Sequence, residues 1–237
     1  MAEQKPLEGQ IALVTGASRG IGAATAEALA ARGAHVIITA RTTDGLEEVE
    51  ERIHQAGGNA TIAPLDLTDA ESIGRLAIAL NERWEKLDIM VLNAAMLGTL
   101  APLQYADPAE FARVFMLNVS AQQALITAFD PLLRKSGNAR IIGLTTSVAA
   151  KPRAFWGVYG ASKSAFETLL LAYADENRAH GRLTVAIVDP GATRTKMRAL
   201  AYPGEDPMTL KEPGVVADRI VALVTTGFET GQREVVK

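Results

Sequence analysis

The stretch IALVTGASRGIG, residues 11–22, places Gly16, Gly20 and Gly22 directly after a short apolar run. The apolar run is typical of a buried strand, and AATAEALAARG after it has an amphipathic helical pattern. Glycines between a strand and a helix let the backbone turn tightly and approach a pyrophosphate, whose charge lies against the free N–H groups of the helix. The stretch predicts the first unit of a dinucleotide-binding sheet; a tight turn with close packing and no ligand is the alternative.

The rest of the chain repeats this alternation of strand and helix. Further apolar runs are AHVIITA (34–40), NATIAPL (59–65), LDIMVLN (87–93), ARIIGLT (139–145) and LTVAIVD (183–189). The runs are continuous rather than alternating, as in strands that are covered on both faces, and helical patterns separate them. The tail GQREVVK indicates a short last strand. The pattern predicts an α/β fold with a parallel sheet and helices on both sides.

Composition narrows the functional classes. The 237 residues suit one α/β domain, predicted over 1–237, and the net charge of -3 gives no basic field for nucleic acid. Cysteine is absent and the three histidines lie far apart, so we expect neither disulfides nor a metal site. MAEQKPLEGQ lacks the apolar core of a signal peptide, and no run reaches the length of a membrane span. We therefore expect a soluble, cytoplasmic protein.

Two arginines bear on which dinucleotide is preferred. An acidic residue after the second strand receives the ribose hydroxyls of NAD, whereas an arginine there accommodates the 2′-phosphate of NADP. Here that strand ends in Ala40 and Arg41, and the glycine loop itself contains Arg19. The sequence predicts that NADP(H) is preferred and that NAD(H) is possible. The alternative is that both arginines are solvated surface residues.

The segment YGASK, residues 159–163, places a tyrosine four positions before a lysine. On a helix these positions share a face, and a cation beside a phenol favours the phenolate. The alternative is an exposed helix on which Tyr159 packs and Lys163 is solvated.

Together, TGASRGIG, the apolar run that ends in Asn93, YGASK, and Pro190-Gly191 followed by Thr195 resemble the short-chain dehydrogenase/reductase family over essentially the whole chain. The resemblance implies a Rossmann-like, doubly wound sheet of about seven strands in the order 3-2-1-4-5-6-7. It also implies an NAD(P)H oxidoreductase that forms a homotetramer or homodimer, with the helical segments 108–134 and 157–179 at the interface.

The resemblance assigns roles to individual positions. Those that match the family's cofactor site are Thr15, Gly16, Ser18, Arg19, Gly20, Ile21, Gly22, Arg41, Asp66, Leu67, Asn93, Ala94, Ala95, Tyr159, Lys163, Pro190, Gly191, Thr193 and Thr195. Asp66 would meet the adenine ring, and Thr195 would hold the nicotinamide carboxamide. Ala95 departs from the family's usual NNAG, because it stands where the last glycine is expected.

The catalytic positions implied by the resemblance are Asn118, Ser147, Tyr159 and Lys163. Tyr159 would donate a proton to the carbonyl oxygen, and Lys163 would acidify the phenol and hold the nicotinamide ribose. Ser147 would bind the substrate oxygen, although Thr146 lies at an equally suitable spacing and a plain turn hydroxyl is the alternative. Asn118 would position a water that resupplies the proton, or would only cap local backbone.

The substrate is less defined. Met96, Leu97, Phe155, Trp156 and the 196–212 loop follow strand ends or lie near Tyr159, which suggests an apolar or aromatic ketone, aldehyde or secondary alcohol. The same residues would also suit core or interface positions. The stretch AYPGEDPMTLKEPG, 201–214, is proline-rich and predicts a loop over the site. Lys151 and Arg153 are interpreted as a solvated rim rather than as the binding site of an acidic substrate.

The resulting prediction is an NADP(H)-dependent oxidoreductase that interconverts a carbonyl and an alcohol. The main alternative is a non-catalytic dinucleotide-binding sensor or scaffold, because a fold does not determine a function. A Rossmann-type methyltransferase is weaker, since it would need an acidic residue where Arg41 stands.

Overall fold

A seven-stranded parallel sheet forms the centre of the computed structural model, which describes residues 5–237. The strand order is β3-β2-β1-β4-β5-β6-β7, as predicted, and all neighbouring strands pair in parallel. The strands are β1 (Ile11–Thr15), β2 (His35–Thr39), β3 (Asn59–Ile62), β4 (Ile89–Leu92), β5 (Ala139–Leu144), β6 (Leu183–Asp189) and β7 (Gln232–Val235).

Helices cover both faces of this sheet. They are α1 (Gly20–Ala31), α2 (Asp44–Gln55), α3 (Ala70–Trp84), α4 (Pro108–Phe115), α5 (Ala121–Ser136), α6 (Ser147–Ala150), α7 (Gly157–Asn177), α8 (Lys196–Ala201) and α9 (Pro213–Thr226). Helices α1, α2 and α9 pack on one face, and α3, α5 and α7 pack on the other.

Strand β1 shows why the apolar runs are continuous. All five of its residues are buried. Ala12 and Val14 point into the core beneath α1 and α9, whereas Ile11 and Leu13 point into the core beneath α3 and α5. Since successive side chains of a strand face opposite sides, a strand with two covered faces must be apolar at every position.

Two predicted elements differ in detail. The helical segment 108–134 is interrupted by a π-helical turn at Met116–Ser120, which separates α4 from α5. The predicted loop 201–214 begins at the last residue of α8, contains a short 3₁₀ turn at Pro207–Thr209 and ends at the start of α9. Neither difference changes the topology.

The sheet order reverses between β1 and β4, which are hydrogen-bonded neighbours although β2 and β3 lie between them in sequence. In open parallel sheets, ligands bind at the carboxyl ends of the strands at this switch point. The loops after β1, β4, β5 and β6 therefore define the candidate site. Within residues 5–237, no helix is both long and apolar enough to cross a membrane.

Candidate active site

The loop after β1 has the backbone geometry that its glycines predict. Gly16 and Gly20 have φ values of +65° and +57°, in the left-handed region that favours glycine. A Cβ added at Gly22 would lie 2.6 Å from Nδ2 of Asn93 and closer still to the carbonyl oxygen of Gly16. The loop and the first turn of α1 therefore pack together only if position 22 has no side chain.

Asn93 and Thr15 join this loop to β4. The Asn93 side-chain amide donates to the carbonyl oxygens of Thr15 (2.9 Å) and Gly16 (3.1 Å). The Thr15 hydroxyl accepts from the backbone N–H groups of Asn93 (3.0 Å) and Ala94 (3.1 Å). These polar groups hold the loop across the switch point, so both side chains act as positioning groups within the protein.

The start of α1 is suited to an anion. Its N-terminus has no side-chain cap and no acidic residue in the first turn, so its free N–H groups are not neutralised locally. Arg19 and Arg41 are exposed, and neither forms a salt bridge within the described chain. Ser18 packs against Gly45 at the beginning of α2, which connects the glycine loop to the segment after Arg41. This donor set fits the phosphates of a dinucleotide.

Asp66 and Leu67 lie just after β3. The Asp66 carboxylate accepts from the backbone N–H (2.9 Å) and hydroxyl (2.8 Å) of Thr68. These two bonds, with a smaller contribution from the charge of Arg41, hold the pKa of Asp66 below its ordinary value. Leu67 is buried. The carboxylate therefore stays ionised near the end of β2, where Arg41 lies.

Tyr159 and Lys163 lie one turn apart near the start of α7, and both are buried. The Tyr159 hydroxyl lies 3.8 Å from Sδ of Met197 on α8, and the Lys163 ammonium lies 4.5 Å from the ring centre of Phe166. Lys163 therefore lies inside the protein, which rules out the alternative of an exposed, solvated lysine.

Burial dominates the titration of this pair. It raises the pKa of Tyr159 above its ordinary value, and the negative charge of Asp189 raises it further. Burial lowers the pKa of Lys163 to about 8, although the carboxylate of Glu167 opposes this shift. Within the protein alone, burial therefore keeps the pKa of Tyr159 above its ordinary value, and the lowering of this pKa by Lys163 stays a prediction.

The two candidate hydroxyls after β5 have different environments. Thr146 is the N-cap of α6, where its side chain faces the backbone N–H of Val148 at 3.5 Å. Ser147 accepts a hydrogen bond from the guanidinium of Arg153 at 3.3 Å. Ser147 is therefore the hydroxyl that the helix cap leaves available.

Asn118 is buried in the π-helical turn, and its side chain is occupied by the protein. Its Oδ1 accepts from the backbone N–H of Met96, and its Nδ2 donates to the Met96 carbonyl and to the Ser162 hydroxyl, at 2.9, 2.9 and 3.0 Å. This resembles the local capping role that was the alternative for Asn118. The side chain fixes the loop after β4 against α7.

The loop after β6 lies against the glycine loop. Gly191, at φ +61°, accepts no side chain easily, because a Cβ there would lie 2.9 Å from the Val236 carbonyl oxygen. The Thr193 hydroxyl donates to the Pro190 carbonyl at 2.9 Å. Thr195 caps α8 through the backbone N–H of Arg198 at 3.1 Å, and its methyl group would contact a Cβ placed on Gly20. The segment 190–195 is thus rigidly placed opposite Gly20.

Aromatic side chains lie beside Tyr159. The Trp156 ring centre is 6.0 Å from that of Tyr159 and 5.7 Å from that of Tyr202. Met96 is partly buried, and Phe155 is 57% exposed. Sequence reasoning named the 196–212 loop as a wall but did not single out Met197 or Tyr202, and it interpreted Arg153 as part of a solvated rim. The proximity of Arg153 to Ser147 depends on a turn that periodicity does not reveal.

A second concave region lies away from the candidate active site. A cavity of about 410 Å³ lies at the opposite end of the sheet, near the start of β6, and is lined by Arg134, His180 and Arg182 among others. Across residues 5–237, no three histidine, aspartate or glutamate side chains group as metal ligands would.

A parallel sheet with a glycine loop at its switch point and a buried Tyr–Lys pair on α7 defines a Rossmann-fold oxidoreductase. The sequence profile described as short chain dehydrogenase matches residues 10–206. The chain belongs to the short-chain dehydrogenase/reductase family, which confirms the resemblance seen in the sequence.

Individual relatives agree with this assignment. The uncharacterized oxidoreductase YciK of Escherichia coli K12 is 38% identical over 214 residues, which cover 89% of this chain and 84% of YciK. A chain from Pseudomonas syringae, described as a short chain dehydrogenase, is 38% identical with a TM-score of 0.95, covering 100% and 98% of the two chains. A similarly described chain from Shigella flexneri 2a, in complex with NADP, is 36% identical with a TM-score of 0.92, covering 99% of each chain.

Proposed function

We propose that this protein interconverts a ketone or aldehyde with the corresponding alcohol, with NADP(H) as the preferred cofactor and NAD(H) as a possible one. The observation that supports this most directly is the burial of Tyr159 and Lys163 one turn apart on α7, which packs against α6, the helix that begins at Ser147. Among residues 5–237, the buried phenol has no hydrogen-bond acceptor except a thioether at 3.8 Å, so it is available to donate its proton to a ligand.

Tyr159, Ser147 and Lys163 each have a separate role in the proposed reaction. Bound nicotinamide supplies or accepts the hydride. In the reductive direction Tyr159 donates a proton to the carbonyl oxygen, and Ser147 donates a hydrogen bond to the same oxygen, where negative charge develops. The positive charge of Lys163 stabilises the phenolate that remains. Because burial raises the pKa of Tyr159, the phenol stays protonated until it reacts.

The preference for NADP rests on charge. Arg19 lies in the glycine loop, and Arg41 lies just after β2. Neither Glu nor Asp stands at the end of that strand. Charge-assisted hydrogen bonds to a 2′-phosphate contribute about 1.5–3 kcal/mol each. The complexes that similar chains from Shigella flexneri and Escherichia coli form with NADP and NADPH support the same preference.

Replacing Tyr159 with phenylalanine tests the proposed proton donor. A set of aldehydes and ketones is incubated with NADPH, and absorbance of the reduced nicotinamide is followed. We expect oxidation with at least one carbonyl and, in Tyr159→Phe, a rate that is lower by about 10²–10⁴-fold. Tyr105→Phe is the control, because Tyr105 is 75% exposed.

The same experiment separates the alternative function. A non-catalytic sensor would bind NADPH with similar affinity in both variants and would oxidise it with no carbonyl. Full turnover by Tyr159→Phe would instead show that another group donates the proton.

We also propose that the chain forms a homodimer or homotetramer through the faces of α4, α5 and α7. Phe111 on α4, Met116 in the π-helical turn and Leu171 on α7 are 41–47% exposed, although each is apolar. A second copy of the chain would cover them.

A further inference from the structure

Arg153 is an exposed cation in the turn before α7, and its guanidinium lies beside Ser147. Its guanidinium donates to Oγ of Ser147 at 3.3 Å and to the hydroxyl of Tyr202 at 3.5 Å. Both bonds are longer than the usual range of about 2.7–3.2 Å. The guanidinium therefore lies next to the hydroxyl that would hold the substrate oxygen, with weak partners that a stronger acceptor would displace.

Neighbouring arginines differ from Arg153 in their partners. Arg198 forms a two-pronged ion pair with Glu205, with both distances 2.6 Å, and Arg194 pairs with Glu212. Arg153 forms no salt bridge with any residue of 5–237. No carboxylate of the described residues therefore pairs with the Arg153 guanidinium, which lies next to Ser147.

The turn that presents Arg153 contains an unusual backbone conformation. The carbonyl of Arg153 accepts from the N–H of Trp156 at 3.2 Å, and Phe155 between them has a φ of +72°. A bulky residue rarely adopts the left-handed region, and such strain concentrates at binding and catalytic sites. The turn holds the backbone of Arg153 against that of Trp156, and the Phe155 side chain itself is exposed.

We infer that Arg153 binds an anionic group of the substrate, so that the substrate is an oxo acid whose carboxylate lies on the carbonyl carbon or one carbon further away. This inference rests on the proposed function. The short distance between the guanidinium and Ser147 sets the separation, because one molecule must place its carbonyl oxygen on Ser147 and its carboxylate on Arg153. Trp156 and Tyr202 pack against each other beside Arg153, with ring centres 5.7 Å apart, and they suit an apolar or aromatic remainder.

In the reaction, the carbonyl carbon would accept the hydride that bound NADPH supplies. The C4–H bond of the nicotinamide would break, a new C–H bond would form at the carbonyl carbon, and the carbon–oxygen double bond would become single. The proton of Tyr159 goes to the oxygen. The products are the hydroxy acid and NADP⁺, and the carboxylate remains unchanged on Arg153. Its role is to select and orient the substrate, because a guanidinium binds a carboxylate through two parallel hydrogen bonds.

Matched pairs of substrates test the inference. Wild type, Arg153→Gln and Arg153→Lys are assayed with 2-oxo and 3-oxo acids and with the methyl ester of each acid. We expect wild type to prefer the acids, and Arg153→Gln to lower kcat/KM for them by about 10- to 100-fold while changing the esters less than threefold. Arg153→Lys should fall between the two, since lysine keeps the charge but not the fork. Lys151→Gln is the control, and it should leave both substrates unchanged.

Two outcomes overturn the inference: a wild type that prefers the esters, or an equal loss for acids and esters in Arg153→Gln. If wild type reduces no carbonyl at all, the proposed function fails, and binding decides the inference separately. Calorimetric titration of the NADP⁺ complex with a 2-hydroxy acid and with its amide should then show binding of the acid alone, lost in Arg153→Gln. Absence of that binding in wild type would contradict the inference.

Discussion

Lys163 destabilises the fold at neutral pH because it is buried. A lysine in the unfolded chain titrates near 10.5, whereas the folded protein lowers the pKa of Lys163 to about 8. The unfolded state therefore binds the proton more tightly. The folded state is penalised in full below about pH 8, and the penalty falls as pH rises towards 10.5. The difference corresponds to about 3 kcal/mol.

Replacing Lys163 with methionine should remove this penalty. We expect the free energy of unfolding at pH 7 to rise by up to about 3 kcal/mol, with a gain that shrinks towards pH 10, together with a large loss of turnover. Glu167 keeps its partners in the variant, since it also accepts from Thr145 and Arg233. Urea denaturation at pH 7 and 10 measures both values, and a loss of stability at pH 7 would contradict the expectation. Lys151→Met is the exposed control.

Arg41 should decide between the two cofactors. We expect Arg41→Asp to weaken the NADPH preference by one to two orders of magnitude, because the substitution removes a cation from the 2′-phosphate and adds a repelling charge. The ratio of kcat/KM for NADPH and NADH measures the change. Arg32→Asp on the far end of α1 provides a control with the same change of net charge. An unaltered ratio would show that Arg41 does not contact the phosphate.

The spacing of residues in the sequence predicted some members of the candidate site but not others. The Tyr159–Lys163 pair was visible because an i, i+4 spacing on a helix fixes a shared face. The contact of Arg153 with Ser147 was not predicted, because it lies in a turn that includes a left-handed Phe155, a conformation that local sequence preferences disfavour. The raised pKa of Tyr159 also escaped prediction, since it follows from burial by the tertiary structure.

Among the elements, the contact between α1 and the glycine loop is the most sensitive to volume. At Gly22 an added Cβ would collide with the Gly16 carbonyl and the Asn93 amide, which are themselves hydrogen-bonded. Neither group can move without opening the connection between β1 and β4. The position of the N-terminus of α1 therefore depends on the absence of a side chain at Gly22.

Gly22→Ala should consequently lose both stability and cofactor binding. We expect the free energy of unfolding to fall by about 1–3 kcal/mol and NADPH affinity to fall at least about tenfold, corresponding to about 1.4 kcal/mol. Gly74→Ala in α3 is the matched control, since no atom lies within 4 Å of its added Cβ. It should raise stability by up to about 1 kcal/mol. Thermal denaturation and fluorescence titration measure both variants, and equal behaviour would contradict the proposed packing.

The π-helical turn is a secondary-structure feature that the sequence did not predict. The apolar pattern over 108–134 indicates a single helix, and the bounds of α3 and β6 agree with the sequence to within a residue. The extra residue in the turn serves a tertiary contact, because it directs Asn118 towards Met96 and Ser162. Such a bulge is favoured by its packing partners, which periodicity does not contain.

At the scale of the whole molecule, the site is assembled by the sheet rather than by any single segment. Thr15 ends one strand, Asn93, Ser147 and Thr195 follow three others, and Tyr159 lies on α7. The alternation of strands and helices predicted this convergence, because parallel strands bring their carboxyl ends to one edge. The surface through which copies of the chain associate is harder to predict from sequence, because an exposed apolar residue follows the same periodic pattern as a buried one.

The exposed apolar side chains on α4 and α7 carry the last prediction. Phe111 and Leu171 are each 41% exposed, and Tyr173 on α7 bonds to Asp130 on α5 at 2.5 Å, which holds α5 and α7 side by side. Two such faces related by a two-fold axis would bury one another, and stable interfaces of this kind cover about 1,200–2,000 Å². Sedimentation velocity should give two or four times the 25.1 kDa of one chain. Phe111→Glu combined with Leu171→Glu should give the single mass with unchanged circular dichroism, whereas Ile78→Glu, at a 62% exposed position on α3, should not. A monomeric wild type, or a double variant that stays associated, would place the interface elsewhere or remove it.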